Sequence, residues 1–437
     1  MPNLIWGRLK MRLIGIGVAA AIAVVLPVEF ANAQVKAGLE APEATTPERQ
    51  SVLQRARPDY DPLGVRAGSF IILPSVDVEE AYNSNVYVTP NNTKEDFETV
   101  LRPAVAVNSD WNNHALSFLA NGTIKRFAKE VSENNSDAGA FVNGRYDIER
   151  DVYFTGALSY QLLHEDRSSP DAVTTQKSPI EYQQGSAKFG FVREPGRLGF
   201  RLDAGADTYA YGNGVTSTGT RIIETDRNYT SYTITPRVRY EITPGYHAFV
   251  KASYNDRVYV NTPDTSGYNR NSTGYAVDAG TAVDLGRVLT GEVYVGYLSQ
   301  DYDDSRLKSA SGADYGASLL WNVTQITSLR LSAQRTVEET TLASTSGYLQ
   351  TTVSPSIEHE LMRNLLLNAG FSYVLQEFQG SSPSRTDDIY KTDAGLRYLI
   401  NRNMSVGLTG SYGWRRSNAL NTNYDQDIVL ARLRLQL

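Results

Sequence analysis

Tight turns recur near residues 112, 150, 195, 244, 286, 323, 363 and 402, about every 40 residues through most of this chain of 437. Between them the chain runs out and back in alternating segments far longer than the ~5–6 residues of an ordinary soluble strand. Short connections on one side and long polar ones on the other make a meander of antiparallel hairpins. About eighteen segments can be counted, starting near 68, 97, 114, 136, 152, 178, 197, 228, 246, 270, 288, 312, 325, 348, 364, 386, 403 and 425. An even number returns both chain ends to the side of the short turns, as single-chain bacterial transmembrane barrels require. The expected fold is all-β: a transmembrane antiparallel up-and-down β-barrel over 68–437.

Period-two alternation gives each segment two faces. Val152, Phe154, Gly156, Leu158 and Tyr160 share one, and Tyr153, Thr155, Ala157, Ser159 and Gln161 the other. The last segment sets Val429, Ala431, Leu433, Leu435 and Leu437 outward, with Arg432, Arg434 and Gln436 inward. Only every second residue then meets lipid, which reconciles 41% hydrophobic content with a mean hydropathy of −0.35.

A soluble propeller also repeats at ~40–45 residues, but it packs four short strands into each repeat. Aromatic placement argues against it. Tyr160, Tyr254, Tyr297, Tyr373 and Tyr412 each lie about ten residues beyond a tight turn, all on the apolar face. Ten tilted residues climb roughly 25 Å, the height of a membrane's apolar band. Tyr146, Tyr240 and Tyr398 mark the opposite rim. The expected location is the bacterial outer membrane, with its lipid and the barrel-assembly machinery as partners.

Residues 1–33 read as an export signal. Arg8, Lys10 and Arg12 precede an apolar run from Leu13 to Leu26, and Ala31-Asn32-Ala33 supplies the small-residue pattern for cleavage before Gln34. Residues 34–67 then form a Pro-rich linker. Thr46-Pro47-Glu48 followed by Arg49 to Arg57 suggests a short capped helix within it. The linker is read either as a tether or as a periplasmic contact arm or plug.

Pro103, Pro236 and Pro355 each fall roughly eight residues before a tight turn, and Pro74 sits in a similar context. A proline forfeits a ladder hydrogen bond, so bulges or points of curvature are expected there.

Catalytic groups are sparse. The four histidines, His114, His164, His247 and His359, fall at both ends of the strands and assemble no triad or metal set. Asp301, Asp303 and Asp304 lack the Gly hinge and distal Glu of a calcium loop. Gly212-Asn213-Gly214 precedes no helix and is no phosphate cradle. Zero cysteines exclude disulfides and thiolate sites, and a net charge of −6 argues against nucleic acid. No enzyme, cofactor or metal is expected.

The inward polar set is richer. Arg102, Lys125, Arg145, Arg201, Asp203, Arg237, Arg239, Glu241, Glu292, Arg330, Glu358, Arg432 and Arg434 all face the lumen by alternation. So do Lys188, Lys251, Arg397, Asp77, Glu79, Asp147, Asp278 and Asp393. Charges of both signs around a wall make either a stiffening ion-pair lattice or a transverse field across a constriction. Alternation alone does not choose. Phe141, Tyr153, Phe249 and Tyr294 also point inward, as sugar-stacking platforms or as wall-fillers.

Arg57-Pro58-Asp59-Tyr60-Asp61-Pro62-Leu63-Gly64, Gly68-Ser69-Phe70, Leu73-Pro74-Ser75-Val76 and Tyr82-Asn83-Ser84-Asn85-Val86-Tyr87 resemble the β-barrel porin 2 family of outer-membrane proteins. Asp110-Trp111 with His114-Ala115-Leu116 is similar to that family too. Ser84-Asn85-Val86-Tyr87 departs mildly from its Asp-Asn-Val-Phe-type turn, and Leu437 stands where an aromatic commonly ends a barrel. The resemblance implies an outer-membrane barrel, many relatives being similar to proteins associated with exopolysaccharide export, and brings no catalytic residue. The expected function is a channel or scaffold in exopolysaccharide secretion, with periplasmic export proteins as partners. The alternatives are a general diffusion porin for small solutes and a structural barrel without transport.

Overall fold

The computed structural model describes residues 50–173 and 175–437. The export signal, its cleavage point and the Thr46 helix start lie outside the described residues. Eighteen long strands form the wall. They are β1 (Phe70–Asn83), β2 (Asp96–Ser109), β3 (Ala115–Phe127), β4 (Asn135–Glu149), β5 (Val152–His164) and β6 (Glu181–Arg193). Then come β7 (Leu198–Tyr211), β8 (Tyr229–Thr243), β9 (Tyr246–Tyr259), β10 (Ser272–Asp284), β11 (Leu289–Tyr302) and β12 (Ala310–Thr324). The last six are β13 (Thr327–Glu339), β14 (Gly347–Met362), β15 (Leu365–Phe378), β16 (Thr386–Leu399), β17 (Met404–Ser417) and β18 (Tyr424–Gln436).

Each strand pairs antiparallel with its chain neighbours, and β18 closes on β1 from Ser75↔Gln436 to Asn83↔Ile428. The fold is a closed antiparallel barrel. Every strand starts within three residues of the position read from the alternation. The tight turns are short because the backbone allows it: at Pro244-Gly245, Gly245 takes φ +82°, and a Cβ there would stand 2.6 Å from the Asp284 carbonyl oxygen.

The prolines are not bulges. At Pro103, Pro236 and Pro355 the register runs on unshifted, and one flanking ladder loses its pairs over two positions. Register shifts occur instead at Asp147/Glu149, Glu241/Thr243, Trp321/Thr324 and Glu360/Met362, where strands enter tight turns. A side-chain bond spans each proline gap. The residue before the proline reaches its cross-strand partner: Arg102 Nη1 to Thr123 Oγ1 at 3.1 Å, Thr235 with Ser253 and Ser354 with Ser372, both at 3.0 Å. The missing amide bond is replaced on the lumen face.

One ladder is incomplete. β12 and β13 pair from Thr324↔Thr327 up to Ala317↔Ala333 and no further. Above that level Ala310–Gly316 pair only with β11, and Gln334–Glu339 only with β14. Leu349 and Thr351 belong to the outward set of β14 yet are 4% and 5% exposed. Leu349 Cδ1 lies 3.8 Å from where a Cβ on Gly312 would stand. The top of the β13–β14 hairpin therefore leaves the wall and curls into the lumen, its outer face against β12.

Candidate functional site

Tyr160, Tyr254, Tyr297 and Tyr412 are exposed on the outer wall, and Tyr373, half-buried, donates to Asp388 at 2.6 Å. Tyr160 donates to Gln183 at 3.0 Å and Tyr412 to Asp425 at 2.9 Å. Tyr390 joins them by stacking on Trp414 with ring centroids 5.1 Å apart.

The lumen face carries the charges, and most sit in close ion pairs. Glu79, fully buried, takes Arg432 at 2.6 Å and Arg102 at 3.0 Å. Arg434 reaches Asp77 at 3.5 Å, and Arg145 meets Asp147 at 2.7 Å. Arg201 binds Asp203 at 2.7 Å, Arg239 binds Glu194 at 2.8 Å, and Arg330 lies 3.8 Å from Glu358. Arg237 on β8 spans two intervening strands to Glu292 on β11 at 2.7 Å. Lys125 lines the upper cavity together with Glu98, and Glu241 lies opposite His247 in the β8–β9 register. The arrangement is an ion-pair lattice. Charges held in such pairs tie neighbouring strands together, and breaking one pair leaves its partner desolvated.

Three of the inward aromatics are covered on one face. The Arg145 guanidinium lies 3.7 Å from the Tyr153 ring centre and that of Arg237 lies 3.8 Å from Phe249, while Lys251 Nζ is 3.4 Å from Tyr294. A cation lies over one face of each of these rings, as in a packed wall. Phe141 presses on Gly139.

The periplasmic mouth is narrowed by the arm. Val52 N donates to Ser328 Oγ and Leu53 N to Glu358 Oε2, each at 2.9 Å. Arg57, itself buried, pairs with Glu360 at 2.8 Å, and Arg402 donates to the Pro58 carbonyl at 2.8 Å. The arm thus runs along the inner rim past β17, β14 and β13. Its helical part is one turn, Val52–Gln54, led by Ser51, whose amide donates to Gln54 Oε1. Of the described residues in the expected helix, Arg55 is already extended, and Arg55 and Arg57 reach the Gln325 carbonyl and Glu360 on the rim.

At the other end three segments converge. Residues 165–171 cross inward: Arg167 grips Glu133 at 2.5 and 2.9 Å, Arg415 donates to the Ser168 carbonyl, and Asp171 accepts from Thr340 Oγ1 at 2.6 Å. Arg227 of loop 212–228 bridges Glu165 at 2.7 Å and Glu224 at 2.9 Å, with burial pushing the Glu224 carboxyl up against that pairing. Below lies a cavity of about 550 Å³, lined by Tyr182, Tyr209, Tyr211, Tyr229, Tyr259, Tyr348 and charges of both signs. Its tyrosines stack on one another: Tyr209 with Tyr229 at 4.9 Å, Tyr229 with Tyr259 at 5.1 Å, and Tyr182 with Tyr211 at 5.0 Å. This row went unread in the sequence, although its members stand at the upper ends of consecutive strands on the inward parity.

His164 shares a 2.8 Å hydrogen bond with Asp137 in the cavity wall, while the nearby Ser169 hydroxyl donates to Glu165. His114 and His247 sit at tight turns, and His359 bonds Thr327. Asp304 of the acidic loop is held by Arg306 at 2.6 Å, a pairing that keeps its carboxyl well below the usual range. No group of three or more His, Asp or Glu able to hold a metal occurs among the described residues.

No curated protein sequence matches this chain. Among solved structures it is similar to the outer membrane protein OpdK from Pseudomonas aeruginosa, at 9% identity over 84% of this chain and 99% of that one, with a TM-score of 0.42. It is also similar to the siderophore receptor PiuA from Acinetobacter baumannii, at 10% identity over 86% and 82%, with a TM-score of 0.43. The ferric citrate transporter FecA aligns at 13% identity and a TM-score of 0.41; 82% of this chain spans 61% of FecA. The family model described as "Putative beta-barrel porin 2" matches residues 57–437, and with the closed barrel just described this chain belongs to that family, a porin-like barrel of the outer membrane.

Proposed function

We propose that this barrel is the outer-membrane channel of an exopolysaccharide secretion system, closed at rest and opened by its periplasmic partners. The observation that carries the reading is that the chain's own segments narrow both ends of the lumen. Residues 50–58 line the periplasmic rim, and residues 165–171 with the β13–β14 hairpin cover the far mouth. A general diffusion pore works by leaving a path for small solutes, whereas a secretion channel must hold the membrane sealed between substrates. The arm is the part a periplasmic export protein reaches first. Sugar recognition here rests on the charged and tyrosine-lined cavity, which offers hydrogen-bonding groups together with aromatic rings. The reading includes no hydrolytic step: replacing His164 with Ala would leave lipid and peptide substrates untouched as before.

Gene deletion tests the proposal, scored for secreted polysaccharide and for uptake of small solutes. Loss of polysaccharide with normal uptake is expected. Loss of uptake with polysaccharide unchanged would instead make the barrel a diffusion porin. No change in either would leave a structural barrel.

A further inference from the structure

The free edge of β13 is held in an unusual way. In a closed barrel its carbonyls and amides should meet β12. Instead Arg257 of β9 donates to the Val337 carbonyl at 2.9 Å and also pairs with Glu339, whose other oxygen accepts from Tyr259 at 2.7 Å. Arg270, fully buried, donates to the carbonyls of Thr340 and Thr345 at 2.8 Å each, and is itself fixed by Asp264 at 2.6 Å. Asp171 takes the Thr341 amide at 3.2 Å. These side chains stand in for a missing strand partner.

The partner remains available. Ala310–Gly316 of β12 form an equally unpaired edge, in the same register and directly above the last joined pair, Ala317↔Ala333. The inner face of that stretch is small at Ala310, Gly312 and Gly316, with the buried Asp314 between them, and Leu349 of the curled hairpin lies against Gly312. Continuing the existing register would set Ala313 opposite Val337 and Gly312 opposite Glu338. The hairpin is also soft at its base, because the β14–β15 ladder is interrupted at Ser354-Pro355, level with the point where β12 and β13 part.

We infer that the β13–β14 hairpin is a hinged gate. Latched by Arg257, Arg270 and Asp171 it curls into the lumen and covers the tyrosine-lined cavity. Released, Gln334–Thr340 zip onto Ala310–Gly316, complete the wall and uncover the cavity. Two alternative sets of hydrogen bonds for one edge make a bistable element of the kind that gates a channel. The inference rests on the channel reading for what opening accomplishes, though not for the motion itself.

The absence of native cysteine allows a direct test in the full-length protein in outer membranes. Ala313→Cys with Val337→Cys would be opposite neighbours only in the zipped state, within the Cα separation a disulfide needs. Ala317→Cys with Ala333→Cys, already paired, reports that the barrel has assembled. Under copper–phenanthroline oxidation the 313/337 bond is expected to accumulate, faster when Arg270→Ala is added. Single-channel conductance in planar bilayers should rise with bonding and fall on reduction. Complete 317/333 bonding with no 313/337 bonding, even with Arg270→Ala, would overturn the gate. If 313/337 bonding proceeds and conductance stays flat, the hinge stands and the channel reading falls.

Discussion

Arg432 donates to Glu79 at 2.6 Å across 353 residues of sequence, and this bond ties the last strand of the barrel to the first. Glu79 is fully buried and takes Arg102 from β2 on its other side, so one carboxylate holds three consecutive strands at the closure. Removing one partner of a buried ionic cluster costs about 3–5 kcal/mol, because the remaining charges stay desolvated. Glu79→Ala should lower urea stability by that order and cause heat-modifiable gel migration to collapse at lower temperature. Glu79→Gln, which keeps a hydrogen-bond acceptor, should lose less. Equal stability of the Ala variant and the parent would show that closure rests on the backbone ladder alone.

The arm offers a second, local test. Arg57 reaches both Glu360 and the Val52 carbonyl, each at 2.8 Å, in surroundings that leave its side chain 5% exposed. Arg57→Ala should free residues 50–58 from the rim at a cost of about 3 kcal/mol. Limited proteolysis should then cut within the arm while the barrel keeps its thermal migration. An arm that remains protected would assign its docking to Val52 and Leu53.

At the proline gaps the prediction concerns coupling. Thr235 and Ser253 share a 3.0 Å bond beside Pro236, where the β8–β9 ladder lacks its backbone pair. Thr235→Val should cost about 1 kcal/mol, the net worth of one hydrogen bond. In a Pro236→Ala background the restored amide can rejoin the ladder, and the same substitution should then cost less. A double-mutant cycle with zero coupling would show that the side-chain bond does not compensate for the proline.

The wall was legible in the sequence because a period of two is unambiguous over thirteen or more residues, as from Val152 to His164. The curled hairpin was less so. On β13 the parity that sets Leu329 and Leu331 outward brings Arg335 and Glu339 to the same side, and charges on the lipid set of a strand are a sign that its upper part has left the wall. A second signal was the small residues Ala310, Gly312 and Gly316 that flank Asp314 on the inner face of the facing strand. Ion pairing was half legible: Arg237 and Glu292 could each be placed inward, but their meeting depends on strand tilt and stagger across β9 and β10. The same holds for the aromatic platforms. Phe249 was correctly directed into the lumen, and only register puts Arg237 over its face.

The last prediction concerns acidity at the mouth. Asp226 of loop 212–228 accepts from the Thr265 amide at 2.9 Å, the Thr265 hydroxyl, and Asn261 Nδ2 at 3.1 Å. Burial alone would raise its pKa; the bonds from Thr265 and Asn261 outweigh burial and hold it below the ordinary carboxylate value. A carboxyl lowered in the folded state contributes stability that is complete above its unfolded pKa of ~3.9 and is lost as pH falls through the lower folded value. The junction between loops 212–228 and 260–271 should therefore stay closed at pH 5 and loosen only in stronger acid. Hydrogen exchange of residues 260–271 measured against pH reads this directly. Asp226→Asn should loosen the junction already at neutral pH and flatten its acid response. Loss of protection near pH 5 in the parent protein would mean that another group holds the two loops together.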